Sequence, residues 1–160
     1  MSAPVGIVMG SASDRAVMSK AEEALTELGV ACEVRVLSAH RTPAELRAWV
    51  SDSEQQGMKV FICAAGLAAH LAGAVAAQTT RPVIGVPLAA PTGAIAGGLD
   101  SLLSTVQMPG GIPVACVAIG EAGARNAGFL AAQMLSLADP SLQTKIKAQR
   151  RAAADKILAG

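Results

Sequence analysis

The chain has 160 residues, a length typical of one compact domain with a substantial core. Hydrophobic residues make up 52% and charged residues only 16%, with a mean hydropathy of +0.45, which excludes an intrinsically disordered protein. Aromatic residues are only 2%, so the core must be built from Ala, Val, Leu and Ile. The net charge of +1, with no basic stripe and no interleaved aromatic residues, argues against polymeric nucleic acid as a partner.

The cysteines and the N-terminal sequence bear on the cellular compartment. Cys32, Cys63 and Cys116 are an odd set with wide spacing, so neither a zinc site nor a disulfide framework is expected. The N-terminal residues lack the charged head and long apolar stretch of a signal peptide, and we expect a cytoplasmic protein. Residues 60–77 carry no formal charge, but they include two glycines and a histidine and have no flanking aromatic belt, so no membrane span is predicted.

Short apolar segments alternate with longer amphipathic ones along the chain. The predicted strands are residues 5–9, 31–37, 60–64, 83–86 and 114–119. The predicted helices are residues 14–28, 43–56, 68–79, 99–106, 122–137 and 140–158. The start at Pro43 is the most clearly marked, because Thr42 and Glu45 have the spacing of a capping box around a proline at the first helical position.

This alternation predicts an α/β fold, a flavodoxin-like three-layer α/β/α sandwich with a central parallel sheet. We expect the strand order 2-1-3-4-5 and a single domain over residues 1–160, with the helix at 140–158 packing on a neighbouring subunit. Ligands of such sheets bind beyond the carboxyl ends of the strands, where the strand order reverses. The loops that share this position are residues 10–14, 38–42 and 65–71.

The first of these loops joins a strand to the start of a helix, where backbone amides and the helix dipole favour an anion. Phosphate is the simplest candidate, although Ser13 or Asp14 could equally serve only as a helix cap. The loop has no Walker lysine, so a nucleoside triphosphate is not indicated.

The other two loops contain both histidines of the chain. Arg41 could bind phosphate through paired donors, and His40 could transfer a proton near neutral pH. His70 lies among small residues that would let the backbone approach a flat ligand; the alternative is an Ala-rich core helix with His70 bonded to a backbone carbonyl. With two histidines and no acidic cluster, a metal site is not expected.

Few charges occur in the middle of the chain, where residues 60–120 contain only Arg81 and Asp100. Such a segment cannot coat an ordinary solvated surface, so we expect other subunits to cover part of it. The sequence therefore predicts a homo-oligomer.

Five motifs together resemble one family in order and spacing. They are Met-Gly-Ser-Ala-Ser-Asp at 9–14, Ser-Ala-His-Arg-Thr-Pro at 38–43, Ala-Ala-His-Leu at 68–71, Pro-Val-Ile-Gly-Val-Pro at 82–87 and Asp-Ser-Leu-Leu-Ser-Thr-Val-Gln-Met-Pro at 100–109. The chain resembles the N5-carboxyaminoimidazole ribonucleotide mutase (PurE) family of de novo purine biosynthesis. The resemblance implies a flavodoxin-like octamer that moves a carboxylate from the exocyclic nitrogen to C4 of the imidazole, without metal, ATP or another cofactor. It also implies functional coupling to an ATP-dependent carboxyaminoimidazole ribonucleotide synthetase.

The resemblance also implies roles for individual residues. His40 matches the general acid/base of the family. Ser11, Asp14 and Arg41 match the positions that hold the ribose phosphate, and Ser38 with the third loop matches the lining around the base and CO2. The full set of expected substrate-binding residues is Ser11, Ser13, Asp14, Ser38, Ala39, Arg41, Ala65, Gly66, Leu67, Ala69, His70 and Leu71.

Some positions depart from the family pattern. Ala64, Leu67 and Ala72 stand where the family usually has Gly, Gly and Pro, and the segment 88–99 is longer than is typical. Leu67 adds bulk beside the expected CO2 pocket. Two alternatives to the mutase remain open: the direct aminoimidazole ribonucleotide carboxylase of the same family, which usually has Lys after the catalytic His, and a flavodoxin-like module that binds a phosphorylated ligand or FMN without turnover.

Overall fold

The computed structural model describes residues 3–90 and 92–160. The strands are β1 (Val5–Met9), β2 (Cys32–Val36), β3 (Val60–Gly66), β4 (Val83–Leu88) and β5 (Ala115–Cys116). The helices are α1 (Arg15–Glu27), α2 (Pro43–Gln55), α3 (Leu71–Ala76), α4 (Leu99–Val106), α5 (Gly120–Ser136) and α6 (Pro140–Leu158). A short 3-10 helix, Ala12–Asp14, leads into α1. In the described part of the chain, every helix is too short or too polar to cross a bilayer.

The strands form one parallel sheet in the order β2-β1-β3-β4-β5, which confirms the predicted flavodoxin-like topology. In the central register, Ile7 of β1 lies between Val34 of β2 and Ile62 of β3. Because all strands run the same way, the loops after β1, β2 and β3 emerge together at the carboxyl edge. The fold therefore brings the three predicted loops to one place.

Apolar side chains cover both faces of the sheet and form two cores. On β3, Ile62 and Ala64 pack in the core that includes α1, α5 and α6. Phe61 and Cys63 point the opposite way, into the core formed with α2 and α3. Burial on both faces explains why the central strands are continuous apolar runs rather than alternating ones.

Small residues let α1 and α5 pack closely. At Gly128 of α5, a Cβ atom would lie 2.7 Å from the carbonyl oxygen of Ala21 and 2.9 Å from the Cβ of Ala24. Real side chains do not approach backbone so closely, so only glycine fits at this crossing. The shortage of aromatic residues in the sequence is thus matched by short distances between helices.

All three cysteines are free, as the sequence predicts. Cys63 is buried, whereas Cys32 and Cys116 are half-buried. Burial raises the pKa of the Cys63 thiol, which therefore stays protonated and acts as a small apolar side chain.

The structure corrects the prediction at three points, the lengths of two elements and one helix cap. The helix expected over 68–79 is limited to α3, and the residues before it form a tight turn in which the His70 N–H donates to the carbonyl oxygen of Ala68 at 2.8 Å. The strand expected over 114–119 pairs with β4 only at Ala115 and Cys116, and the backbone leaves the extended conformation at Ala118, which has a φ of +146°. The capping box at Thr42 is absent, because its hydroxyl bonds the backbone of Ser38 instead.

Candidate active site at the carboxyl edge of the sheet

A cavity of about 550 Å³ opens where β1, β2, β3 and β4 end. All three predicted loops contribute to its wall. The predicted site residues line it with the exception of Ala69, which is only 2% exposed and lies behind the wall. A volume of this size suits a small-molecule ligand.

The first loop folds into a closed hydrogen-bonded turn. The backbone N–H of Ser11 donates to Asp14 Oδ2 at 3.1 Å, and the N–H of Ser13 donates to Ser11 Oγ at 3.3 Å. These two amides were expected to be available for an anion, but the side chains of the loop already use them. The loop is therefore a helix cap, but the capping residue is Ser11, with Asp14 as its partner in a capping box, rather than Ser13 or Asp14 alone. The hydroxyls of Ser11 and Ser13 are what this loop offers to a ligand.

Asp14 adds a partly dehydrated carboxylate to the same wall. Burial raises the pKa of the Asp14 carboxyl, while hydrogen bonds from the Ser11 N–H and the Ser13 hydroxyl act in the opposite direction. A carboxylate in this setting is a strong acceptor for ligand hydroxyl groups and repels anions.

Arg41 connects the second loop to the first. Its Nη2 donates to the carbonyl oxygen of Gly10 at 3.0 Å, and its backbone N–H donates to Ser38 Oγ at 3.2 Å. Over residues 3–90 and 92–160, no carboxylate forms an ion pair with Arg41. The guanidinium is thus held at the mouth of the cavity with its positive charge uncompensated, as an anion-binding group requires.

The two histidines meet across the cavity. His40 Nε2 and His70 Nδ1 are 2.9 Å apart, and the rings are nearly perpendicular at 87°. In this bond one nitrogen donates and the other accepts, so the protonation of one ring depends on the tautomer of the other. Both histidines are exposed to the cavity, and His70 is therefore not the core histidine of the alternative interpretation. The sequence placed both near the same edge but did not predict their contact.

The third loop has an unusual backbone. Leu67 has a φ of +55°, in the left-handed region that disfavours residues with a side chain, and it is 44% exposed at the cavity wall. The N–H of Ala69 donates to Ser104 Oγ of α4 at 3.1 Å. The small residues of this loop thus bring backbone, rather than side chains, close to the cavity.

Several lining residues were not predicted. They are Gly10, Val17, Ala68 and the segment Leu88, Ala89 and Ala90 at the end of β4. The signal for the last three was available, because the predicted strand order places β4 beside β3. Among the residues that the structure describes, no group of three or more His, Cys, Asp or Glu side chains is arranged to hold a metal ion.

Comparison with known proteins assigns the family. The family model described as AIR carboxylase matches residues 4–156. The chain belongs to this family. It is 50% identical over 155 residues to the N5-carboxyaminoimidazole ribonucleotide mutase of Vibrio parahaemolyticus, covering 97% of this chain and 94% of that protein.

Two further relatives agree with this assignment. The N5-carboxyaminoimidazole ribonucleotide mutase of Bacillus subtilis is 52% identical over 146 residues, which cover 91% of this chain and 88% of that protein. The crystal structure of Treponema denticola PurE superposes with a TM-score of 0.86 at 29% identity, covering 97% of this chain and 94% of that one. The family resemblance seen in the sequence motifs is thereby confirmed.

Proposed function

We propose that this AIR carboxylase family member is an N5-carboxyaminoimidazole ribonucleotide mutase that acts in purine biosynthesis. The observation that carries the proposal is near-full-length identity of about half to proteins with that activity. The cavity adds support, because it combines a phosphate-binding cation with a pair of histidines that can move a proton.

The charges of the cavity suggest how the ribonucleotide lies. The 5′-phosphate sits against the Arg41 guanidinium and the hydroxyls of Ser11 and Ser13. The Asp14 carboxylate would repel phosphate, so it accepts hydrogen bonds from the ribose hydroxyls instead. The imidazole then extends toward His40 and the backbone of the third loop, where Ala65, Gly66 and Leu71 leave room for a flat ring.

The proposed reaction needs one proton, which His40 donates in the first step and accepts again in the last. Protonated His40 gives its proton to the exocyclic nitrogen of the carbamate, the N–CO2 bond breaks, and CO2 and aminoimidazole ribonucleotide form in the cavity. C4 of the imidazole then attacks CO2 and forms the new C–C bond. The C4 proton passes to His40, which restores both the aromatic ring and the protonated histidine, so the reaction is a net isomerisation.

His70 has a supporting role in this scheme. Its Nδ1 contacts His40 Nε2, which fixes the orientation of the His40 ring and provides a partner for whichever nitrogen carries the proton. Ser38 and Ala39 line the cavity, and Ser38 Oγ also accepts the backbone N–H of Arg41 within the second loop. No step of this scheme uses a metal ion, ATP or another cofactor.

One assay distinguishes the mutase from its two alternatives. Purified protein is incubated with N5-carboxyaminoimidazole ribonucleotide, and the ultraviolet spectrum of the C4-carboxylated product is followed. A direct carboxylase would form product only from aminoimidazole ribonucleotide and bicarbonate, and a binding module would form none from either. Product from neither substrate would refute the proposal.

We also propose that the chain assembles into a closed homo-oligomer, an octamer by resemblance to the family. Leu99, Leu103 and Val106 lie on one face of α4 and are 42%, 50% and 44% exposed. Closed symmetry would cover these groups equally in every subunit.

The last helix supports the same proposal. Leu142 and Ile146 of α6 are buried against the same chain, whereas Ile157 and Leu158 near its end are 82% and 79% exposed. We propose that the exposed end of α6 packs on a neighbouring subunit. Multi-angle light scattering tests the assembly: the unmodified protein should exceed the chain mass of 16.0 kDa several-fold, and Val106→Asp should dissociate it. A monomer at micromolar concentration would refute this proposal.

The proposed activity requires a second enzyme that supplies the substrate. Its carbamate substrate would come from an ATP-dependent carboxyaminoimidazole ribonucleotide synthetase, and we propose functional coupling to that enzyme in the cytoplasm. From aminoimidazole ribonucleotide, low bicarbonate and ATP, the C4-carboxylated product should form only when the synthetase is added, because the synthetase supplies the carbamate substrate.

A further inference from the structure

Helix α4 carries the Asp-Ser-Leu-Leu-Ser segment, which belongs to one of the five family motifs, and the proposed chemistry gives this segment no role. The Ser104 side chain points from this helix toward the third loop of the cavity. Its oxygen accepts the backbone N–H of Ala69 at 3.1 Å and lies 3.3 Å from the carbonyl oxygen of Leu67. Its proton reaches the carbonyl oxygen of Asp100 in the preceding turn at 2.8 Å.

Of these contacts, the hydrogen bond from the Ala69 N–H matters most, because this N–H is buried. Ala69 is 2% exposed, so its N–H cannot turn to water, and Ser104 is its acceptor in the part of the chain that the structure describes. A buried N–H without an acceptor is costly, so removal of the hydroxyl should force the loop to move. Two residues earlier, Leu67 holds the disfavoured φ of +55°, so the loop is under backbone strain as well.

His70 directly follows Ala69 in the chain. The same short segment that Ser104 holds therefore carries the imidazole whose Nδ1 lies 2.9 Å from His40 Nε2. A small displacement of Ala69 would lengthen this contact, because no hydrogen bond other than the one to His40 holds the His70 ring among the described residues.

We propose that Ser104 is a positioning residue, which holds the third loop through the Ala69 N–H and so keeps His70 against His40. This inference rests on the proposed mutase activity for its kinetic consequence, although the contact itself does not. Ser104 does not itself line the cavity and acts only through the residues of the third loop that it contacts.

The kinetic test compares Ser104→Ala with a matched control. We expect Ser104→Ala to lower kcat on the order of 10- to 100-fold, as misplacement of a reacting group does, with little change in KM because the phosphate-binding side chains stay in place. Thr105→Val removes the neighbouring hydroxyl, which bonds only the carbonyl oxygen of Ser101 within α4, and should leave kcat near the unmodified value. Ser104→Thr keeps a hydroxyl and should restore much of kcat.

A spectroscopic test separates this inference from the proposed function. With ¹⁵N-labelled histidine, the ring nitrogens of the unmodified protein should show one fixed tautomer for His40 and His70. Ser104→Ala should show the averaged shifts of free imidazoles, whereas Thr105→Val should not. Should Ser104→Ala fail to fold, Ser104→Cys, which keeps the volume but is a weaker acceptor, is measured instead.

The outcomes are distinct. Equal losses of kcat in Ser104→Ala and Thr105→Val, or unchanged histidine signals in Ser104→Ala, would overturn the positioning role. Absence of turnover in the unmodified protein would instead refute the mutase proposal, and the nitrogen signals would still decide whether Ser104 holds the histidine pair.

Discussion

At Leu67 we expect the glycine variant to be more stable than the alanine variant, which is the reverse of the usual order of stability. At an ordinary position glycine is less stable than alanine by roughly 0.5–1 kcal/mol, because glycine loses more backbone freedom on folding. Leu67, however, has a φ of +55°, where any residue with a Cβ atom is disfavoured. We therefore expect Leu67→Gly to be more stable than Leu67→Ala.

The size of the difference follows from two opposing terms. The left-handed conformation costs a residue with a side chain about 1–2 kcal/mol, which glycine avoids. The greater conformational freedom of glycine in the unfolded chain lowers the free energy of unfolding of Leu67→Gly by about 0.4–1 kcal/mol. Both variants lose the same half-exposed leucine contacts, so these cancel in the comparison. The expected net advantage of Leu67→Gly over Leu67→Ala is roughly 0.5–1 kcal/mol.

Urea unfolding at one fixed protein concentration measures the difference. Ala96→Gly provides a second example, because Ala96 has a φ of +46° and should gain stability on the change. Ala154→Gly, in the exposed part of α6, is the opposite control and should lose about 1 kcal/mol. If Leu67→Gly proves less stable than Leu67→Ala, the strained backbone assigned to the third loop is wrong.

Four further changes test the site and the packing. His40→Asn should keep ligand binding but lower turnover by about 10²- to 10⁴-fold, the usual contribution of general acid/base catalysis, as steady-state rates will show. Arg41→Ala should weaken binding of the 5′-phosphate by about 1.5–3 kcal/mol, and calorimetry with ribose 5-phosphate will detect an unchanged affinity if the phosphate lies elsewhere. Gly128→Ala should destabilise the fold by about 1–3 kcal/mol through overpacking against α1, whereas Gly110→Ala, with no atom within 4 Å, should not. Hydrogen bonds from the Trp49 indole and then from Arg35 lower the pKa of the Glu33 carboxyl below its usual value. Its stabilisation is therefore present at neutral pH and lost as the pH falls through the folded-state pKa, so the decrease in Tm caused by Glu33→Gln should be largest at pH 7 and become smaller as the pH is lowered.

The central strands could be predicted because each of them is a continuous run of apolar residues in the sequence. β1 has the predicted bounds, and β3 and β4 extend the predicted segments by two residues each, since strands covered on both faces must be continuous apolar runs. β5 was predicted much too long. β5 stops at Cys116 although its neighbour β4 continues for three residues beyond Gly85, the partner of Cys116. The backbone changes conformation at Ala118, which has a φ of +146°, and the apolar pattern does not show that change.

Local side-chain competition explains the error at the start of α2. The sequence from Thr42 to Glu45 fits a capping box, and Pro43 does occupy the first turn. The Thr42 hydroxyl instead closes the second loop, where it accepts the N–H of Ser38 at 2.8 Å. The pattern identified the boundary correctly but not the partner, because two backbone N–H donors that compete for one hydroxyl oxygen cannot be ranked from residue types alone.

The contact between His40 and His70 could not be predicted from the sequence. Strand order placed His40 and His70 at one edge, but their contact depends on the conformation of the third loop. That conformation requires Leu67 in a left-handed region and an acceptor from α4 for Ala69, and neither can be read from hydrophobic periodicity.

Helix α4 has two faces with different tasks, and together they connect the site with the proposed assembly. On its inner face, Ser101 donates to the carbonyl oxygen of Leu88 at 2.9 Å and Ser104 accepts from Ala69, so the helix holds two walls of the cavity. Its outer face presents the exposed apolar stripe that includes Leu103 and Val106. A neighbour packed on that stripe would fix α4 and, through its serines, the backbone around His70. Association would then be a condition for an ordered site rather than only a means of covering apolar surface.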